Sequence, residues 1–284
     1  MTVGTSPENT SGLSPQLLSA DEPGPFQILN PLSVVPILLV CDHASCRFPR
    51  SLGDMGLDPF ARRCHLAVDI GAGPLTERLA TSLGVTAVLA QYSRLIVDCN
   101  RQLMDPSAFL EYGDGTIVPG NKNLHQVDKD LRANTLYWPY HNAVDKHVQR
   151  LHDDIMPGPA FIAVHSFTPV MNGESRKWEI GVLWDTDTRL RDIFLEDFRL
   201  AGYQVGDNEP YSGKAPQDFT IDHHAEARGL PHVGIEIRQD LIDSDDGVDV
   251  IAKLMHEVIK SIPKRLDETR LSDEGQRTSV HDRR

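Results

Sequence analysis

The sequence predicts a single α/β domain with a mixed, mostly parallel sheet and helices on both faces. Three observations predict it. Residues 34–41, VVPILLVC, are apolar without alternation, the pattern of a strand buried on both sides. Pro74 then opens a helix whose apolar stripe is Leu75, Leu79 and Leu83, and Gly84 stops it before a second apolar run at 86–91. Strand, helix and strand form a β-α-β unit, which joins parallel neighbours. Later apolar runs at 160–166 and 232–238 repeat the alternation of strand-like and helical segments.

The chain has 284 residues, 40% of them hydrophobic, enough for one large core. Its formal charge of −13 argues against nucleic acid or an anionic membrane as a partner. No apolar run approaches the roughly 20 residues that span a bilayer. The first residues, MTVGTSPENTSG, lack the basic and apolar regions of a signal peptide. Cys41, Cys46, Cys64 and Cys99 form no C-x-x-C pair, and three sit in or beside apolar runs, so they read as reduced in a cytoplasmic protein. Residues 1–26, rich in Ser, Pro, Gly, Thr and Glu, predict a disordered tail. The domain is expected over 27–263, with a charged, partly disordered tail at 264–284. No internal repeat or linker divides it.

Taken in order, 54–64 predicts a short helix and 95–97 a third strand. Residues 105–124, with Gly113, Gly115, Pro119 and Gly120, predict a long loop near the site. From 126 to 154 the pattern is helical with a break at Pro139. Its buried face is Val127, Leu131, Leu136, Tyr140, Val144, Val148 and Leu151. His141, His147 and His152 read as its solvated face. Residues 160–166 and 178–184 predict strands, 189–202 a helix on Leu190, Phe194 and Phe198, and 203–205 a short strand. His223 and His224 lie in a polar stretch. His232–Arg238 predicts the last strand and 248–262 a closing amphipathic helix.

Polar groups of complementary type sit at the ends of these strands. The first run ends in Asp42 and His43, and 160–166 ends in His165 and Ser166. In open α/β sheets ligands bind just beyond the carboxyl ends of strands. Two His and one carboxylate, from Asp69 or Asp42, suit Zn2+ with a fourth position open to water. Asp69 sits in HLAVDIGAG, where glycines allow close backbone approach. Arg94, Arg101 and Arg238 are candidates for gripping a substrate carboxylate. Glu236 and Arg238 alternate onto one face of an otherwise apolar strand. Glu236 is the candidate general base, the structural alternative being an ion pair with Arg238. Ser45 and Ser166 adjoin histidines in sequence, which does not make a triad.

Seven motifs, CDHASCRFP, HLAVDIGAG, YSRLIVDCNR, DGTIVPGN, HSFTP, GDNEPYSG and IEIRQDL, run in order across about 36–247. Together they resemble the N-formylglutamate amidohydrolase family. The resemblance implies a zinc-carboxypeptidase-like (phosphorylase/hydrolase-like) fold, Zn2+ as cofactor, and hydrolysis of an N-acyl, chiefly N-formyl, acidic amino acid. It matches Asp98, Asn100 and Arg101 to the family's carboxylate-binding segment, His165 to its second metal ligand, and Glu236 to its catalytic Glu. One position departs from the wider group: the metal-binding Glu expected three residues after His43 is Cys46. Asp69 is then the expected carboxylate ligand ahead of Asp42, with Cys46 less suited because a thiolate lowers Lewis acidity. The metal set is therefore His43, Asp69 and His165. Alternatives are a related N-acyl or peptide amidohydrolase, or a non-catalytic ligand-binding protein on the same scaffold. The expected partner is a small N-acyl amino acid, and a homo-oligomer is left open.

Overall fold

A seven-stranded sheet is the middle layer of the computed structural model, which describes residues 16–154, 158–214 and 218–281. The strands are β1 (Phe26–Leu29), β2 (Ile37–Cys41), β3 (Thr86–Ala90), β4 (Ala160–Phe167), β5 (Ile180–Leu183), β6 (Val205–Asp207) and β7 (His232–Arg238). Their order is β1-β3-β2-β4-β7-β5-β6. The β1/β3 and β7/β5 pairs are antiparallel, and the other pairs are parallel. The sheet is therefore mixed and mostly parallel, as the β-α-β pattern predicts.

Among the described residues there are six α-helices: α1 (Ala72–Leu83), α2 (Gln126–Arg132), α3 (Trp138–Asp154), α4 (Arg189–Leu200), α5 (Phe219–His224) and α6 (Asp245–His281). Strand alternation divides the core in two. Leu39, Ile162, Val164, Val233, Ile235 and Ile237 pack with α1, α4 and α6. Leu38, Val40, Phe161 and Ala163 pack with α3 and α5. Continuing that second face brings His165, two residues beyond Ala163, to the carboxyl end of β4. Glu236 occupies the alternate face from Ile235 and Ile237, so it joins His165 on the α5 side.

Several expectations are corrected. Residues 54–64 form turns rather than a helix; within them the Asp58 carboxylate accepts from the Phe60 and Ala61 amides. Residues 95–97 are buried yet form no strand. Side chains and a turn take up their backbone groups: Leu95 N–H donates to Ser93 Oγ, Ile96 N–H to the Ser93 carbonyl, and Asn121 and Arg132 donate to the Leu95 and Ile96 carbonyls. The break near Pro139 is a π-helical turn over Ala133–Tyr137, just before the proline, which places the residue lacking an N–H at the start of α3. Val127 is exposed, and His141 and His147 are buried rather than solvated. The expected loop at 105–124 contains a short hairpin, Tyr112–Gly113 with Thr116–Ile117.

The ends also differ. Of the expected tail at 1–26, residues 1–15 lie outside the described residues. Leu17 is buried, and Tyr92 donates to the Pro23 carbonyl, so 16–26 lie against the domain. The closing helix runs through Pro263 to His281 instead of ending at 262. Beyond the proline, Arg265 pairs with Glu196 and Asp197 of α4 at 2.6 and 2.8 Å, which holds this segment to the domain.

Candidate active site

The loops after β2 and β3 meet the carboxyl-end halves of β4 and β7 in a cavity lined by His43, Asp69, Arg94, Asn100, Arg101, His165 and Glu236, among others. Asp69 reaches it by a turn. Its amide donates to the His43 carbonyl, and Gly71 follows at φ 80° to start α1. A Cβ on Gly71 would lie 2.1 Å from the Ile242 carbonyl oxygen, and one on Gly73 would lie 2.6 Å from that of Ala44. Gly73 thus lets α1 close against the loop that carries His43, and Gly71 lets it close against the loop before α6.

His43 Nδ1 lies 3.2 Å from Asp69 Oδ2, and its Nε2 lies 2.7 Å from Asp98 Oδ1. His165 Nδ1 lies 2.9 Å from the same Asp69 oxygen, and its Nε2 faces Asp42 Oδ2 at 3.3 Å. All five of these residues are buried. A neutral imidazole has one N–H to donate. With that proton on Nε2, turned outward to Asp98 and Asp42, both Nδ1 lone pairs converge with Asp69. That donor set fits a divalent cation such as Zn2+: two nitrogens, one carboxylate and an open fourth position. The outer carboxylates are the partners that orient such histidines. In the protein without metal, burial pulls both imidazoles down, but the surrounding carboxylates hold His43 above and His165 well above the ordinary value. Burial likewise pushes Asp69 up, and the two histidines more than reverse it, holding its carboxyl below the ordinary range. Asp42 is held at about 2, against burial, by His165, His43 and Thr220.

Arg94 anchors the acids. Its Nη2 donates to Asp98 Oδ2 at 2.6 Å, and its Nη1 lies 3.4 Å from Asp69 Oδ1. The next turn presents Asn100, whose amide donates to Asp98 Oδ1 and whose side-chain oxygen accepts from Thr220 N–H. With the oxygen so occupied, the Asn100 Nδ2 hydrogens are left for a ligand. Arg101 Nη1 donates to the Asn100 carbonyl at 2.8 Å from the same wall.

Glu236 lies beside His165 in the β4/β7 register. Burial raises its carboxyl to about 7, against the pull of His165. Its Oε2 is buried with no hydrogen-bond partner among the described residues. Such an atom calls for a water or ligand proton.

The sequence-predicted residues thus assemble, with one exception. Arg238 does not line the cavity. It donates to Asp240 Oδ1 at 2.7 Å and to the Arg176 and Trp178 carbonyls. Cys46 is exposed and outside the converging group. Sequence reasoning missed the orienting roles of Asp42 and Asp98, although each neighbours a predicted site residue. Thr220 gave no local signal, because its partners are 120 and 178 residues away. A second His/Asp group, Asp145, His223 and His224, lies over α5. Arg228 Nη2, 2.8 Å from Asp145, already supplies its cation.

The sequence model for "N-formylglutamate amidohydrolase" matches residues 35–243. The crystal structure of a gene product from Agrobacterium tumefaciens is 32% identical, covering 90% of this chain and 100% of that one with a TM-score of 0.84. The crystal structure of N-formylglutamate amidohydrolase from Ralstonia eutropha JMP134 is 19% identical, covering 87% of this chain and 99% of that one with a TM-score of 0.65. At that identity the likeness is one of fold. No curated protein matches the chain.

Proposed function

This chain belongs to the N-formylglutamate amidohydrolase family, and from that premise we propose that this amide-bond hydrolase cleaves an N-formyl acidic amino acid such as N-formylglutamate. The observation that carries the reading is the buried, unpartnered Glu236 Oε2 beside the His43, Asp69 and His165 group.

In this reading Asn100 Nδ2 and the Arg101 guanidinium hold the substrate's free carboxylate, Arg101 through paired N–H groups. His43 Nδ1, His165 Nδ1 and Asp69 hold Zn2+, which would supply Lewis acidity toward water and the amide carbonyl. Glu236 takes a proton from the attacking water and returns it to the leaving nitrogen, so amide and water become formate and the free amino acid. Arg94 keeps Asp98 ionised and holds both Asp98 and Asp69 in place. Burial of Glu236 raises its basicity toward neutral pH, where a general base works best.

The partner is a small molecule. The charge of −13 disfavours nucleic acid, and among the described residues no helix is long and apolar enough to cross a membrane. Four free cysteines support a reducing, cytoplasmic setting. A second reading, a related N-acyl amino acid, is favoured by the apolar lining residues Leu66, Leu110 and Met171.

The test is formate release from N-formyl-L-glutamate by zinc-loaded protein, run beside a panel of N-acyl amino acids, with and without chelator. Chelator-sensitive formate release supports the proposal. Release only from acyl or apolar analogues favours the second reading, and binding of acidic amino acids without turnover of any substrate contradicts both.

A further inference from the structure

We propose that Thr220 is a positioning residue for the metal ligand His165, acting through Asp42; this rests on the metal centre proposed above. Thr220 is fully buried on the six-residue helix α5. Its Oγ lies 2.7 Å from Asp42 Oδ1 and 3.5 Å from the Cys99 carbonyl oxygen. A hydroxyl has one proton, and the shorter contact to a carboxylate takes it. The bond fixes one Asp42 oxygen and leaves Oδ2 facing His165 Nε2 at 3.3 Å. The negative charge of Asp42 beside Nε2 favours the proton on that nitrogen, the tautomer in which His165 Nδ1 offers its lone pair inward.

The helix is pinned so that Thr220 cannot drift. At its start, Asp218 Oδ1 accepts from the Ile221 amide, and Thr220 N–H donates to Asn100 Oδ1 at 2.9 Å. At its end, His224 Nδ1 lies 2.7 Å from Asp145 Oδ1, and its Nε2 lies 2.8 Å from His141 Nδ1. His141 Nε2 in turn donates to the Cys99 carbonyl at 2.9 Å. Both ends of α5 are therefore tied to the turn that carries Asp98, Asn100 and Arg101. Asp42 is almost fully buried, so without the Thr220 hydroxyl its Oδ1 has no solvent to replace the lost donor.

The experiment measures Zn2+ affinity of the full chain by competition with a chelator of known affinity. Thr220→Val keeps the shape and removes the donor, and Thr220→Ser keeps the donor. The expected result is a Kd about 10- to 100-fold weaker for Thr220→Val, the span typical of orienting partners of metal ligands, with Thr220→Ser restoring wild-type affinity. A purely structural role lowers the melting temperature without this hydroxyl-dependent change. Equal affinity in wild type and Thr220→Val overturns the proposal. If Thr220→Val does not fold, Thr220→Ala takes its place, and failure of both to fold beside a folded Thr220→Ser assigns the hydroxyl to stability and overturns it as well. Wild-type protein that takes up no Zn2+ instead removes the metal centre itself, a distinct result.

Discussion

Glu236 stands directly beside His165 across the parallel β4/β7 ladder, which brings a buried carboxylate next to a metal-type histidine on the same face of the sheet. This pairing comes from strand alternation alone. Phe161, Ala163 and His165 share one face of β4, and the neighbouring strand contributes Glu236 at the matching position. The bland alternative for Glu236 was an ion pair with Arg238. The structure gives Arg238 to Asp240 instead.

The two arginines should therefore separate kinetically. Arg101→Lys keeps the charge and loses the planar fork, so KM for the N-formyl substrate should rise more than kcat falls. Arg238→Lys, outside the cavity, should leave KM at the wild-type value. Steady-state kinetics on the two variants check this, and an unchanged KM in Arg101→Lys removes Arg101 from the carboxylate clamp.

Asp222 gives a pH prediction. Burial, with Asp218, Asp185 and Glu226 nearby, raises its carboxyl from 3.8 to about 7. Its Oδ1 has no hydrogen-bond partner among the described residues. The folded chain binds this proton more tightly than the unfolded chain, so the stability it contributes is full below pH 3.8 and is lost as pH rises through about 7. Asp222→Asn removes that loss. Thermal unfolding should show the variant more stable than wild type at pH 8, by about 1–2 kcal/mol after discounting for partial solvent exposure, and no such gain at pH 4. A gain of equal size at both pH values would show that the carboxyl's charge is not the cause.

Gly71 tests how the Asp69 turn is built. At φ 80°, and with a Cβ only 2.1 Å from the Ile242 carbonyl oxygen, Gly71→Ala must strain the backbone and displace the loop before α6. The strain alone costs about 1–3 kcal/mol. The expected outcome is a lower Tm together with weaker Zn2+ binding, since Asp69 lies two residues upstream. An Ala variant with wild-type Tm would mean the turn relaxes without cost.

Much of this was legible in the sequence because the signals are local. Buried strands announce themselves as unbroken apolar runs; the polar ends of two supplied His43 and His165, and Glu236 stood out as an acid inside a third. Asp69 was found because glycines follow it. What the sequence hid depends on distant partners. Residues 95–97 look like a strand, yet Ser93, Asn121 and Arg132 side chains take the backbone bonds a neighbouring strand would have made. His141 looks solvated on a helical wheel, but α5 covers it and His224 stacks on it, with centroids 5.1 Å apart. Arg238 shares a strand face with Glu236, yet its long side chain turns to Asp240 two residues on. Alternation predicts the face of a strand, not the endpoint of a guanidinium.

In the proposed reaction Glu236 moves the proton in amide hydrolysis. Glu236→Gln keeps shape and removes the basic oxygen, so the most direct measurement is kcat for formate release from N-formyl-L-glutamate by zinc-loaded Glu236→Gln against wild type. The expected variant is folded and metal-binding, with kcat lower by about 10²- to 10⁴-fold, the span of a general acid–base group. Near-wild-type turnover by that folded, zinc-loaded variant would contradict it.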